Sequence, residues 1–226
     1  MPVNPNAPIE ITAFRWVPDF AAGLVRDLRP RWALEEIRRD YRVRLLDAMN
    51  PRPEEYFAEQ PFGQVPIYRD SEVQLFESGA ILIHFGFNDE RLLPADEQGR
   101  MRGIAWLIAA LNSVEPMILE LINIDIFYAG QEWTKERRPQ VVENVRARLK
   151  LLADALADKD WLEGRFTIGD MMMVSVLRNL RHTELVAEHP TLAAFVARGE
   201  ARPAFQRALA DQLAVFEARQ PEGVEA

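Results

Sequence analysis

The sequence predicts an α/β front domain of order βαβαββα followed by an all-α back domain, and three observations predict it. Apolar and polar residues alternate over 9–13 and again over 41–46, on either side of a stretch with helical apolar spacing. Gln64-Val65-Pro66 opens a short apolar run that a turn separates from a second run at 73–76. From residue 100 onward the pattern reads as helical, with apolar spacings of three and four over 133–156.

Ile9, Ile11 and Ala13 alternate with Glu10 and Thr12, a strand ending near Phe14. Leu24, Val25, Leu28, Trp32 and Ile37 predict a helix over 24–38, kinked at Pro30. The alternation over 41–46 gives a second strand, parallel to the first through a right-handed crossover. Asn50-Pro51-Arg52-Pro53 ends it, and 54–59 form a short helix. Strands over 66–68 and 73–76 pair as an antiparallel hairpin around Arg69-Asp70-Ser71, and a helix over 78–87 closes the domain. The first domain is therefore set at 9–88 and a linker at 89–99, with the helical domain at 100–217. In that domain 101–127 read as one helix kinked at Pro116, 133–156 as an amphipathic helix and 204–216 as the last helix. Thr167-Ile168-Gly169-Asp170 has the spacing of a capping box, with Phe166 and Met171 as its hydrophobic staple.

Charge and composition exclude several functions. With 27 basic against 35 acidic residues and a pI near 5.1, neither nucleic acid nor an anionic membrane is the expected partner. Arg15, Arg26, Arg29 and Arg31 nevertheless crowd one early segment, where a small anion would find positive potential. There is no cysteine, so redox chemistry would have to borrow a thiol. Residues 1–8 lack the basic and apolar regions of a secretory signal and read as a frayed, cytoplasmic N-terminus; the tail from Gln220 reads as loose. The apolar run 103–114 meets Glu115 and then Glu120 and Asp125, short of the roughly 20 residues of a membrane span, and reads as a buried helix. His84, His182 and His189 have no metal-ligand spacing, and no metal or cofactor is expected.

The chemistry concentrates at 64–66 and 77–78. A proline opening a strand cannot donate to the ladder and marks a bend, here one that leaves the Val65 N–H and C=O for an extended peptide to pair with. Glu77-Ser78 stands where a strand gives way to a helix. Helix N-termini attract carboxylates, the hydroxyl adds a donor, and Glu77 offers an anion to an amino group. Both charges of a free α-amino acid end would be met at one place. Each feature has a plainer reading, an edge strand for Pro66 and a helix cap for Glu77-Ser78; their succession favours a ligand.

This order of domains resembles the cytosolic glutathione transferase superfamily, a thioredoxin-like domain joined to a helical one, over about residues 9–217. Four signatures carry the resemblance: Gln64-Val65-Pro66, Glu77-Ser78, the cap at Thr167 to Asp170, and His189-Pro190-Thr191-Leu192 with Ala201-Arg202-Pro203-Ala204. It implies that Val65 hydrogen-bonds the cysteinyl backbone of glutathione with Pro66 in cis, that Glu77 and Ser78 hold the γ-glutamyl end, and that Gln64 lies toward the glycyl carboxylate. It implies glutathione as substrate rather than cofactor, a small hydrophobic electrophile as second substrate, and a homodimer. Family members place a Tyr, Ser or Cys against the glutathione sulfur, but residues 13–33 contain none. A thiol of pKa about 8.5 needs a stabilising group at neutral pH, and a guanidinium supplies one. Arg26, expected in the first turns of the first helix, is the first choice and Arg15 the second. Phe14, Trp16 and Met117 are candidates for the electrophile's apolar walls, with core packing as their alternative. Three functions remain open: conjugation of glutathione to an electrophile, a glutathione-dependent reduction of disulfides or peroxides, and a noncatalytic interaction module.

Overall fold

The computed structural model describes residues 3–218, which form two compact units. The first contains the residues through Leu92 together with the last helix, and the second runs over Leu93–Ala201.

The first unit is built on a four-stranded sheet of order β2-β1-β3-β4, with β1 at Ile9–Phe14, β2 at Tyr41–Leu46, β3 at Ile67–Arg69 and β4 at Gln74–Phe76. β1 and β2 pair in parallel, while β1 with β3 and β3 with β4 are antiparallel. A helix over Leu28–Glu36 (α1) makes the parallel crossover, a 3-10 turn at Glu54–Ala58 follows β2, and α2 (Ser78–Asn88) follows the hairpin. Ile11, Trp32, Tyr41, Ile67, Ile81 and Leu82 are buried in its core.

Three expectations change here. The first helix begins at Leu28, because residues 18–28 wind through turns bonded Ala21 N–H to Pro18 C=O, Leu24 to Ala21 and Leu28 to Val25. Pro30 consequently sits in the first helical turn, where a missing N–H costs nothing, and it makes no kink. The N-terminal stretch is not frayed from Val3 on: Val3 bridges Tyr41, the Asn4 N–H bonds the Tyr41 carbonyl at 2.8 Å, and Ala7 is buried. The tail from Gln220 lies outside the described residues.

The last helix, α8 (Pro203–Glu217), was expected with the helical domain but packs within the first unit, on α1. The Phe205 ring meets Trp32 edge-on at 4.9 Å, and Arg202 grips the Glu36 carboxylate at 2.6 and 2.9 Å. Arg207 reaches buried Glu35 at 2.6 Å, and the Gln212 amide donates to Asp27 at 2.8 Å. Asp27 also pairs with Arg31 at 2.7 Å; burial pushes its carboxyl up while Arg31 opposes the shift.

In the second unit one continuous helix runs from Glu97 to Phe127. It comprises α3 (Glu97–Ala109), a π turn at Ala110–Val114, α4 (Glu115–Ile122) and a second π turn at Asn123–Phe127. Pro116 has no N–H for the carbonyl four residues back, and the ladder widens to a π turn just before it. The helix is longer than the sequence suggested, long and apolar enough to cross a membrane, yet it buries Ile104, Leu107, Val114, Ile118 and Leu121 in a protein core. It packs against α5 (Glu132–Leu156) and α6 (Ile168–Leu177), and the unit's last helix, α7 (Pro190–Glu200), packs against those two. Where α3 meets α6, a Cβ at Gly169 would stand 2.8 Å from the Gly103 carbonyl, so only glycine allows the approach. The capping box is formed as expected: the Asp170 carboxylate accepts from Thr167 N–H and Leu162 N–H, each at 2.8 Å, and Thr167 Oγ1 accepts from Gly169 N–H at 3.1 Å.

Candidate functional site

Sheet register gathers the candidate residues at one end of the sheet. Ile11 pairs with Tyr68, and Ile67 with Phe76. Continued past the strand ends, that register sets Val65 beside the end of β1 and Pro66 beside Glu77. Two segments more than ten residues apart in sequence thus meet because a hairpin joins them.

The Val65–Pro66 bond is cis, and the Val65 N–H and C=O have no hydrogen-bond partner among the described residues. The preceding loop is held closely. Phe62 N–H donates to the Gln60 side chain at 2.6 Å, and Arg52 Nε donates to the Gly63 carbonyl at 3.0 Å. Gly63 has φ +65°, and a Cβ there would stand 3.0 Å from the Phe57 ring, so the turn requires glycine. The Gln64 side chain is exposed while its carbonyl turns inward onto the Tyr56 hydroxyl at 2.7 Å.

Glu77, the residue before α2, has φ 68° and ψ 116°. A non-glycine residue at positive φ costs of order 1–3 kcal/mol and clusters at ligand sites. This conformation leaves the Glu77 side chain exposed and free of any capping role, while Ser78 takes the first helical position, buried. Beneath Ser78 lies a residue the sequence analysis did not single out from its arginine cluster. Arg29, 3% exposed, donates from Nη1 to Ser78 Oγ at 3.1 Å. A guanidinium has donors only, so the serine oxygen accepts and its own hydrogen remains to be given to an anion. A buried cation, a hydroxyl donor and a helix N-terminus therefore converge, with the Glu77 carboxylate at the rim. The arrangement suits a zwitterion: carboxylate inward, ammonium outward.

The other candidates are placed as follows. Arg26 does not lie in the first helix but in the turn just before the Asp27 cap, with Arg29 N–H bonded to its carbonyl. Arg15 is exposed just past β1, its N–H on the Leu46 carbonyl at 2.9 Å. Trp16 packs with Val17 and Phe216 as a small core rather than as a site wall, because α8 covers it. Phe14 is half-buried beneath the Arg52 guanidinium, 4.7 Å from its ring centre, and Met117 is half-buried on α4 in the second unit. Among the described residues no group of three or more His, Asp or Glu is arranged to hold a metal ion.

The sequence and the fold are both similar to those of known proteins. The family model for the glutathione S-transferase N-terminal domain matches residues 21–85. The chain is 31% identical over 185 residues to the glutathione S-transferase GstA of Escherichia coli O157:H7, covering 78% of this chain and 89% of that protein. It is 30% identical over 184 residues to glutathione S-transferase 4 of Zea mays, covering 76% and 82%. Among solved structures it superposes with a TM-score of 0.78 and 26% identity on a glutathione transferase from Burkholderia graminis with two glutathione molecules bound per subunit, covering 90% and 88%. A glutathione transferase family member from Pseudomonas fluorescens, also with two glutathiones bound, gives 0.79 and 25% over 91% and 93%.

Proposed function

This chain belongs to the glutathione S-transferase family, and on that premise we propose that it binds reduced glutathione at the end of the β1–β3–β4 sheet and directs the ionised thiol at an apolar electrophile. The observation that carries the proposal is the left-handed backbone of Glu77 beside a Ser78 seated on buried Arg29. That constellation takes the γ-glutamyl end: Ser78 and the first N–H groups of α2 receive the carboxylate, and Glu77 receives the ammonium. The Val65 peptide pairs with the cysteinyl backbone, and Gln64 faces the glycyl carboxylate. The sulfur then falls near the end of β1, where Arg26, with Arg15 in reserve, supplies the positive charge. Lowering the thiol pKa by one unit requires about 1.4 kcal/mol, within reach of one partly buried cation. Chemistry is nucleophilic addition or substitution, the protein contributing thiolate and proximity, and Phe14 is the apolar contact proposed for the electrophile. The protein works as a cytoplasmic homodimer in this reading, which sedimentation checks directly.

A second reading is favoured by a specific observation. The chain has no cysteine, and the relatives from Burkholderia graminis and Pseudomonas fluorescens each carry two glutathiones. A disulfide or peroxide reductase in which glutathione supplies both sulfurs fits those facts.

One titration separates the readings. Glutathione is added while thiolate absorbance near 240 nm is followed, and turnover is then measured with a chlorinated nitroaromatic and with a mixed disulfide. Thiolate formation with aromatic conjugation supports transfer, turnover of the disulfide alone supports reduction, and binding without any thiol shift leaves a noncatalytic module. Failure to bind glutathione overturns both enzymatic readings.

A further inference from the structure

Behind the bend at Pro66 lies a chain of hydrogen bonds with a single possible direction. The Ile67 N–H donates to Thr12 Oγ1 at 2.7 Å, Thr12 Oγ1 and the Tyr56 hydroxyl lie 3.1 Å apart, and the Tyr56 hydroxyl donates to the Gln64 carbonyl at 2.7 Å. A carbonyl only accepts, so the one phenolic hydrogen is committed to Gln64, and the hydrogen between the two hydroxyls must come from Thr12. The order is therefore Ile67 N–H to Thr12 O–H to Tyr56 O–H to the Gln64 carbonyl. Thr12 and Tyr56 are both buried, and no other hydrogen-bond partner competes for either hydroxyl among the described residues.

The Gln64 carbonyl and the Val65 N–H belong to the same peptide unit. That unit is trans, so its C=O and N–H point in opposite directions. Drawing the carbonyl inward onto a buried phenol turns the Val65 N–H outward. Each donor in a chain of this kind also polarises the next, so the final N–H becomes a stronger donor than a lone peptide. The same Thr12 oxygen holds the Ile67 N–H on the far side of Pro66, so one hydroxyl pair pins both flanks of the bend. Burial pushes the Tyr56 phenol up, which keeps its hydrogen in place across the working pH range.

We infer that Tyr56, held by Thr12, is the positioning residue that aims and polarises the Val65 peptide for the cysteinyl backbone of glutathione. This rests on the glutathione-binding function proposed above. Neither side chain touches the ligand; both act through the Gln64–Val65 peptide.

The test uses the full chain and reduced glutathione. Tyr56→Phe and Thr12→Val remove one hydroxyl each with nearly unchanged shape, and Thr12→Ser restores it. Both deletions should raise the glutathione Kd and KM by about five- to tenfold, the worth of one hydrogen bond, with kcat nearly unchanged because the contact serves ground and transition states alike. In nitrogen-15-labelled protein the downfield shift of the Val65 amide proton on adding glutathione should shrink in both variants and return in Thr12→Ser. A merely structural role would lower the melting temperature without moving that resonance or splitting KM from kcat. Wild-type Kd and wild-type Val65 shifts in folded Tyr56→Phe and Thr12→Val would overturn the inference while leaving glutathione binding intact. No binding by the wild-type protein would instead overturn the function on which it rests.

Discussion

Replacing Arg29 by methionine tests the proposed γ-glutamyl site most directly. The change keeps an apolar stem of similar length in a position only 3% exposed and removes the cation under Ser78. A carboxylate accepting from the Ser78 hydroxyl would stand about 5 Å from the guanidinium, given the 3.1 Å Arg29–Ser78 bond and an ordinary O–H···O distance. Coulomb's law with an effective dielectric of about 20 gives about 3 kcal/mol at that separation. The Ser78 hydroxyl and the α2 N-terminus remain, so the net loss is about 2 kcal/mol, a Kd about thirtyfold weaker. Isothermal titration with glutathione measures it, and Arg29→Lys, which keeps the charge but not the fork, should fall between the two. A glutathione analogue with its γ-glutamyl α-carboxylate converted to an amide closes a double-mutant cycle. Arg29→Met should cost that analogue nothing further. A Kd for Arg29→Met within threefold of wild type, or an equal loss with the amide analogue, refutes the pairing.

Arg26→Ala should raise the pKa of bound glutathione's thiol while changing its affinity little, as read from the thiolate absorbance; an unmoved pKa removes Arg26 from the chemistry. Phe205→Ala empties the space against Trp32 and should destabilise the first unit by about 3–5 kcal/mol in urea titrations, the cost of a large core deletion. Asp170 is pushed by burial up to about 6 from 3.8, against the bonds from Leu162 and Thr167. The folded form therefore holds the proton more tightly, so this group's stabilisation is full below the unfolded value and declines as pH rises from about 4 to about 6. Asp170→Asn should flatten that decline, and an unchanged slope of urea midpoint against pH would contradict the shift.

What the amino-acid order determined by itself is local chemistry, written within a few residues. Alternation placed β1 and β2, the Thr167 to Asp170 spacing placed a cap, and a proline opening a strand followed by an acid and a hydroxyl at a helix entry marked the end of the sheet where binding is proposed. Even the register that joins those two segments follows from a hairpin with a short turn. Tertiary structure decided everything that depends on contacts distant in sequence. Arg29 meets Ser78 across 49 positions, Tyr56 meets Thr12 across 44, and Gln212 meets Asp27 across 185. No periodicity records such a pairing, because helical and strand repeats report which face is apolar and not which polar group will be buried against it. For the same reason Arg29 was one arginine among four in the sequence, and the last helix belonged by spacing to the helical segment. Only burial against Trp32 and the carboxylates of α1 assigned that helix to the sheet's unit, and only the folded chain put a cation beneath the serine.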